Sequence, residues 1–153
     1  DPAIMRWKYT KLLSNLRNAL QAICGLEAPG GEVARRARQE ALACYKAAGI
    51  EFVPEEEMRQ RIQTEIRMAD IEGHPRTGGS TWQSLMRGLP SIEVDYLNGE
   101  IVLLGKLYGV PTPCNAVLQR VANDMARSGK RPGSMTVEQL QAMVGEAEAG
   151  TKR

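Results

Sequence analysis

The stretch Ser91–Asn115, SIEVDYLNGEIVLLGKLYGVPTPCN, constrains this chain more than any other. It is the most apolar part of the sequence. At 100° per residue, Val94, Leu97, Ile101, Leu104 and Tyr108 share one side of a helix, and Tyr96, Leu103 and Leu107 widen it. Asp95, Asn98 and Lys106 make a narrow polar strip. A helix apolar over most of its circumference is buried by others. The pattern therefore predicts a central helix, Ile92–Tyr108, inside a bundle. Pro90 and Ser91 mark its start, and Gly109 with Pro111 just beyond marks its end. Two features strain a pure core role. Glu93 falls inside the apolar arc, where it serves either the helix dipole or a polar partner. Gly99 and Gly105 sit in the interior, each costing about 1 kcal/mol against Ala, which predicts close approach by another backbone.

The rest of the chain reads as further helices around this one. The first is expected over Ala3–Cys24, with Leu12, Leu13, Leu16, Ala19, Leu20 and Ile23 inward and Lys11, Ser14, Asn15 and Asn18 opposite. A second runs over Glu32–Ala48. A third runs from Pro54 to about Ile71, its acids Glu55, Glu56 and Glu57 suiting the positive end. EGHPRTGG, 72–79, reads as a loop. Ser80 and Gln83 have capping-box spacing for a short helix to Arg87, and Thr136 and Gln139 for a last helix, Val137–Glu146. Thr112-Pro113 opens the helix between, with Val117, Leu118, Val121 and Met125 as its seam. No strand alternation appears, so the fold class is all-α, a single helical bundle domain over 1–153.

Twenty basic residues against 18 acidic ones leave no electrostatic footprint for nucleic acid. The cluster Arg35, Arg36 and Arg38 alternates with acids and reads as a solvated helix face. No apolar run approaches a membrane span, and no signal peptide is expected. Cys24, Cys44 and Cys114 are odd in number and scattered, which fits small buried thiols in a reducing, cytoplasmic setting. His74 is the only histidine, before a proline, so no metal cluster is expected around it. The chain opens at Asp1 without an initiator methionine and already reads as helix, so a fragment of a longer protein is expected.

GxGxxG, a phosphate loop, CxxC and GxSxG are all missing, and with them any self-contained cofactor site. What remains is a lysine beside two amides, Lys11, Asn15 and Asn18, with Ser80 and Glu93 elsewhere. A lysine ammonium can bond a carbonyl oxygen and give it a proton, and amides and a hydroxyl can hold a carboxylate. That chemistry suits a small 2-oxo acid. The same stripe is also the ordinary wet side of a helix.

Three motifs carry a family likeness. KLLSN (Lys11–Asn15), STWQSLMRG (Ser80–Gly88) and EVDYLNG (Glu93–Gly99), followed by YGVPTPCN, stand in the order and spacing seen in the C-terminal domain of ketopantoate reductase (2-dehydropantoate 2-reductase). The chain resembles that domain over nearly its whole length, and its fold would be that of the 6-phosphogluconate dehydrogenase C-terminal domain. The resemblance implies an oxidoreductase that turns ketopantoate into pantoate in pantothenate biosynthesis. NADPH would be held by an N-terminal Rossmann domain that this chain lacks, and the chain alone would be inactive. It implies Lys11 and Glu93 as catalytic residues, with Asn15, Asn18 and Ser80 binding substrate. Departures from the pattern concern the substrate cradle. Ala19 stands at the family's second asparagine, Asn18 is one residue early, Gly30 replaces another asparagine, Thr77 lies where another polar amide often does, and one residue is inserted between Gly88 and Glu93. The alternatives are a related hydroxyacid dehydrogenase of different substrate and a non-enzymatic helical interaction module. Leu97, Ile101 and Leu104 would serve a core or a homodimer interface equally well.

Overall fold

The structure, a computed structural model, describes residues 3–28, 31–65 and 78–151. Gly30, His74, Thr77, and the stretch from Ile66 to Ile71 expected to end the third helix, lie outside the described residues. The described residues form α1 (Ile4–Asn15), α2 (Arg17–Cys24), α3 (Gly31–Ala48), α4 (Glu55–Glu65) and α5 (Ser80–Met86). A 3-10 turn (Glu93–Tyr96), α6 (Asn98–Tyr108), α7 (Pro113–Arg127) and α8 (Val137–Thr151) follow. The all-α bundle is as the apolar spacing implies.

The centre of the bundle is α7. Eight of its residues are buried, among them Val117, Leu118, Val121, Ala122 and Met125, and it packs on α2, α3, α6 and α8. Its seam joins Leu20, Ile23, Val33, Leu140 and Val144 in the larger apolar cluster. A smaller cluster joins α1, α3 and α6 through Leu13, Leu16, Cys44, Tyr45, Ile101 and Leu104.

The expected single helix Ile92–Tyr108 is split, and it is not the central one. Ile92 and Val94 both turn inward. Residues two apart point to opposite sides of an α-helix, so burying both needs another backbone path. The chain meets this with the 3-10 turn, then breaks at Leu97 (φ −112°, ψ −91°) before α6 begins at Asn98. Ile101 and Leu104 are buried, but Tyr96 is 82% exposed and Leu107 67%, with Leu103 and Tyr108 also at the surface. Glu93 opens the 3-10 turn as an exposed side chain, not one enclosed in an apolar arc.

Of the two interior glycines, Gly105 meets the expected close backbone, whereas Gly99 meets a side chain. A Cβ at Gly105 would lie 2.5 Å from the Val110 carbonyl oxygen, and one at Gly99 2.7 Å from the Gln119 amide nitrogen. Gly109 ends α6 in the left-handed conformation (φ 70°).

The first helical run is jointed at Leu16. The Ser14 hydroxyl donates to the Thr10 carbonyl (3.2 Å), a back-bond that bends helices. The Leu16 carbonyl accepts from the Asn98 side chain (3.3 Å), a side chain inserted where the helical ladder would run. Thr10 itself is buried, donating to the Val53 carbonyl (2.7 Å) and accepting from the Val53 N–H (2.9 Å).

Three smaller expectations change. The N-cap of α5 is Gly79 rather than Ser80, and the Gln83 amide donates to the Gly78 carbonyl instead of closing a capping box. Asn18 presses on Gly79 so closely that a Cβ there would lie 2.7 Å from it, and this contact sets the entry of the chain into α5. Arg36 and Arg38 are half-buried bridges to Glu148 of α8 and Glu55 of α4, not a solvated face, because α3 is flanked by acids on both neighbours. The last helix continues past Glu146 to Thr151, since no proline stops it; its capping box at Thr136 and Gln139 is formed in both directions.

Candidate functional site

α1 places Lys11 and Asn15 one turn apart on a ridge between two open clefts. On one side Lys8, Tyr9, Lys11 and Asn15 face Tyr96 and Leu97, enclosing about 270 Å³. On the other, Ile4, Trp7, Lys11 and Asn15 face Met58 and Ile62 of α4, enclosing about 430 Å³. The Arg61 guanidinium lies 4.5 Å from the Trp7 ring centre, a cation–π contact that walls the second cleft. Lys8 and Lys11 line the first cleft and Lys11 and Arg61 the second, with no acid among the described lining residues. In the first cleft, Lys8 and Lys11 with no carboxylate among the described lining residues favour an anion at the ridge. Lys11 is exposed and Asn15 half-buried.

The other sequence-named residues fall in separate places. Asn18 lies against Gly79, the residue before Ser80, at the α2–α5 contact. Glu93 lines neither cleft that contains Lys11, although Tyr96 of the same turn closes the first. Ala19, at the position where the family carries its second asparagine, is 0% exposed and belongs to the larger core cluster. An amide there would enter the core.

Behind the ridge lies a buried polar network that sequence reasoning missed. The Glu40 carboxylate accepts from the backbone N–H of Cys114 (2.8 Å) and of Asn115 (2.9 Å), capping α7 from α3. It also accepts from the Asn115 side-chain amide (2.7 Å), which donates again to the Ala37 carbonyl (2.9 Å). The Asn115 Oδ1 accepts from Asn98 (3.0 Å), and Asn98 reaches Leu16. Burial pushes the Glu40 carboxyl above its ordinary range, and the bonds from Asn115 and Cys114 offset this only in part. One signal was available: an asparagine in an apolar stretch and another in the first turn of a buried helix need partners. Their identity was not. The Cys114 and Cys44 thiols are buried and free, and burial pushes both up. Among the described residues no group of His, Cys, Asp and Glu could hold a metal, and no helix is long and apolar enough to cross a membrane.

Fold and ridge together define an all-α bundle domain with an open, cationic wall. A family profile described as "Ketopantoate reductase PanE/ApbA C terminal" matches residues 3–126. The chain belongs to this family, as its C-terminal domain. A crystal structure of a PanE/ApbA family ketopantoate reductase from Ralstonia eutropha JMP134 is similar, with 31% identity and a TM-score of 0.61. That match covers 79% of this chain and 41% of the other, so the chain spans less than half the reductase's length. No curated protein matches the chain.

Proposed function

We propose that this chain is the substrate-side half of an NADPH-dependent 2-oxo acid reductase, of which 2-dehydropantoate 2-reductase is the nearest known activity. The observation that carries the reading is the shared ridge: Lys11 and Asn15, one helical turn apart, open onto a cleft that Lys8 also lines. The described residues contain no strand and no glycine-rich strand-to-helix turn, so they do not fit a dinucleotide phosphate. Cofactor binding is assigned to a Rossmann domain elsewhere in the protein, where NADPH would supply hydride. This chain's own part is to bind, orient and donate a proton. The Lys11 ammonium bonds the substrate's carbonyl oxygen and gives it a proton as negative charge develops there. A fixed cation at that atom stabilises the transition state more than the ground state. Asn15 holds the substrate carboxylate from one turn away. Asn18 and Ser80 bind the distal part of the substrate, and Glu93 completes the site when the domains close over it.

The buried Ala19 favours a related 2-oxo acid over ketopantoate itself, because one amide of the family's cradle is displaced by a residue along the helix. The test is a panel of 2-oxo acids with NADPH and NADH on the full-length gene product, wild type and Lys11→Ala. The variant should lose ~10²–10⁴-fold in turnover, the usual worth of a positioned acid, with an unchanged far-UV spectrum. Wild-type turnover in the variant removes Lys11 from the mechanism. A native gene without a βαβ unit upstream would leave an interaction module as the reading.

A further inference from the structure

The two parts of the proposed site, the α1 ridge and the 3-10 turn bearing Glu93, meet through one buried side chain. Asn98 is 0% exposed, and its Nδ2 donates twice. One bond goes to the Leu16 carbonyl at the α1–α2 joint, one residue beyond Asn15 (3.3 Å). The other goes to Asn115 Oδ1 (3.0 Å), itself clamped to Ala37 and Glu40 of α3. The backbone of Asn98 is the first residue of α6, immediately after the break at Leu97, and Leu97 lines the first cleft opposite Lys11 and Asn15. Any shift of Asn98 therefore moves the turn on one side and releases the joint on the other.

The other atom of this amide, Asn98 Oδ1, is buried with no hydrogen-bond partner. An apolar side chain of similar size would remove that penalty but would leave the Leu16 carbonyl and Asn115 Oδ1 without the donor they now share. It could not hold the carbonyl of a helix joint and a second amide at the same time.

We infer that Asn98 is a positioning residue, setting the α1 ridge with Lys11 and Asn15 at a fixed distance from the turn that carries Glu93. This rests on the proposed reductase reading. A misplacement of about 1 Å at reacting groups lowers rates by ~10²-fold, so kcat should carry the effect more than KM.

The test uses the full-length gene product with Asn98→Ala, and Asn98→Ser as the milder change if alanine prevents folding. Val144→Ala is the control, since Val144 is a buried residue of α8 remote from both clefts. Kinetics with a 2-oxo acid and NADPH are read beside backbone hydrogen exchange. The Asn98 variants should lower kcat by ~10²-fold and speed exchange at both residues 16–20 and residues 93–98. Val144→Ala should lower thermal stability and raise exchange evenly across the domain while leaving kcat unchanged, with no rise particular to those two segments. An Asn98 variant that keeps wild-type kcat, or whose exchange rises everywhere as in the control, overturns the inference. If the wild type reduces no 2-oxo acid, the reductase reading fails. Exchange then still decides whether Asn98 ties the two segments: paired acceleration supports it, and diffuse acceleration overturns it.

Discussion

Gly105→Ala, compared with Gly99→Ala, tests whether α6 is set by close backbone approach. At Gly105 the new methyl would lie 2.5 Å from the Val110 carbonyl oxygen and 2.7 Å from Thr112 Cγ2. A relaxed carbon–oxygen approach is about 3.3 Å, so the turn must retreat by about 0.8 Å. It has little freedom to do so. The Val110 N–H donates back to the Gly105 carbonyl (2.8 Å), and Thr112 is the residue on which α7 begins. Overpacking of this kind costs ~1–3 kcal/mol, and loss of the capping bond about 1 kcal/mol more. Alanine's better helix propensity returns about 1 kcal/mol. The net expectation is a destabilisation of roughly 1–3 kcal/mol, or about 3–10 °C in Tm for a domain of this size. At Gly99 the obstacle is the end of a flexible side chain, the Gln119 amide, bonded to Asp95 at the surface (2.7 Å). It can swing aside, and Gly99→Ala should change stability by no more than about 0.5 kcal/mol, because a lost surface bond and a gained propensity nearly cancel. Urea unfolding followed by far-UV circular dichroism reads both. A Gly105→Ala protein as stable as wild type, or less damaged than Gly99→Ala, would refute the close-approach argument.

Glu40→Ala should destabilise by ~2–3 kcal/mol, since it leaves the N–H groups of Cys114 and Asn115 without their acceptor inside the fold. Glu40's carboxyl is raised in the native state, chiefly by burial. The native state therefore holds its proton more tightly than the unfolded chain does. Its stabilising contribution is complete below the unfolded carboxylate range and declines as pH climbs through the raised native value. Glu40→Gln removes this titration, so the stability gap between wild type and Glu40→Gln should narrow with rising pH; a gap that widens would contradict the burial argument. Burial, followed by the nearby Glu138 charge, pushes the half-buried Cys24 thiol up to about 11. Iodoacetamide at pH 8 should accordingly label the folded protein far more slowly than the urea-unfolded chain, and equal rates would show that the thiol is not shielded.

Local signals carried much of the fold because they act within a turn or two. Gly25, Gly49 and Gly109 stop helices by adopting a positive φ where other residues would strain. Thr136 and Gln139 cap α8 because their atoms lie three residues apart. The spacing of Lys11 and Asn15 guarantees that they share one helix face, whatever packs behind them. Those facts, with the apolar periodicity, are enough for an all-α bundle; the family likeness rests on the motifs KLLSN, STWQSLMRG and EVDYLNG.

Tertiary structure decided what the same residues do once neighbours compete for them. Leu103 and Leu107 are about as apolar as Ile101, yet they face solvent, because α7 rather than α6 has neighbours on most sides. Glu93 lost its expected enclosure when Ile92 and Val94 both turned inward and pulled the backbone into a 3-10 turn. Asn98 and Asn115 stand in sequence surroundings that call for partners without naming them. They are buried because Leu16 lies 82 residues from Asn98 in sequence and Glu40 lies 75 from Asn115, yet both come within hydrogen-bonding distance. A polar side chain is buried only when such distant partners arrive together, and no window of sequence contains both ends of those bonds.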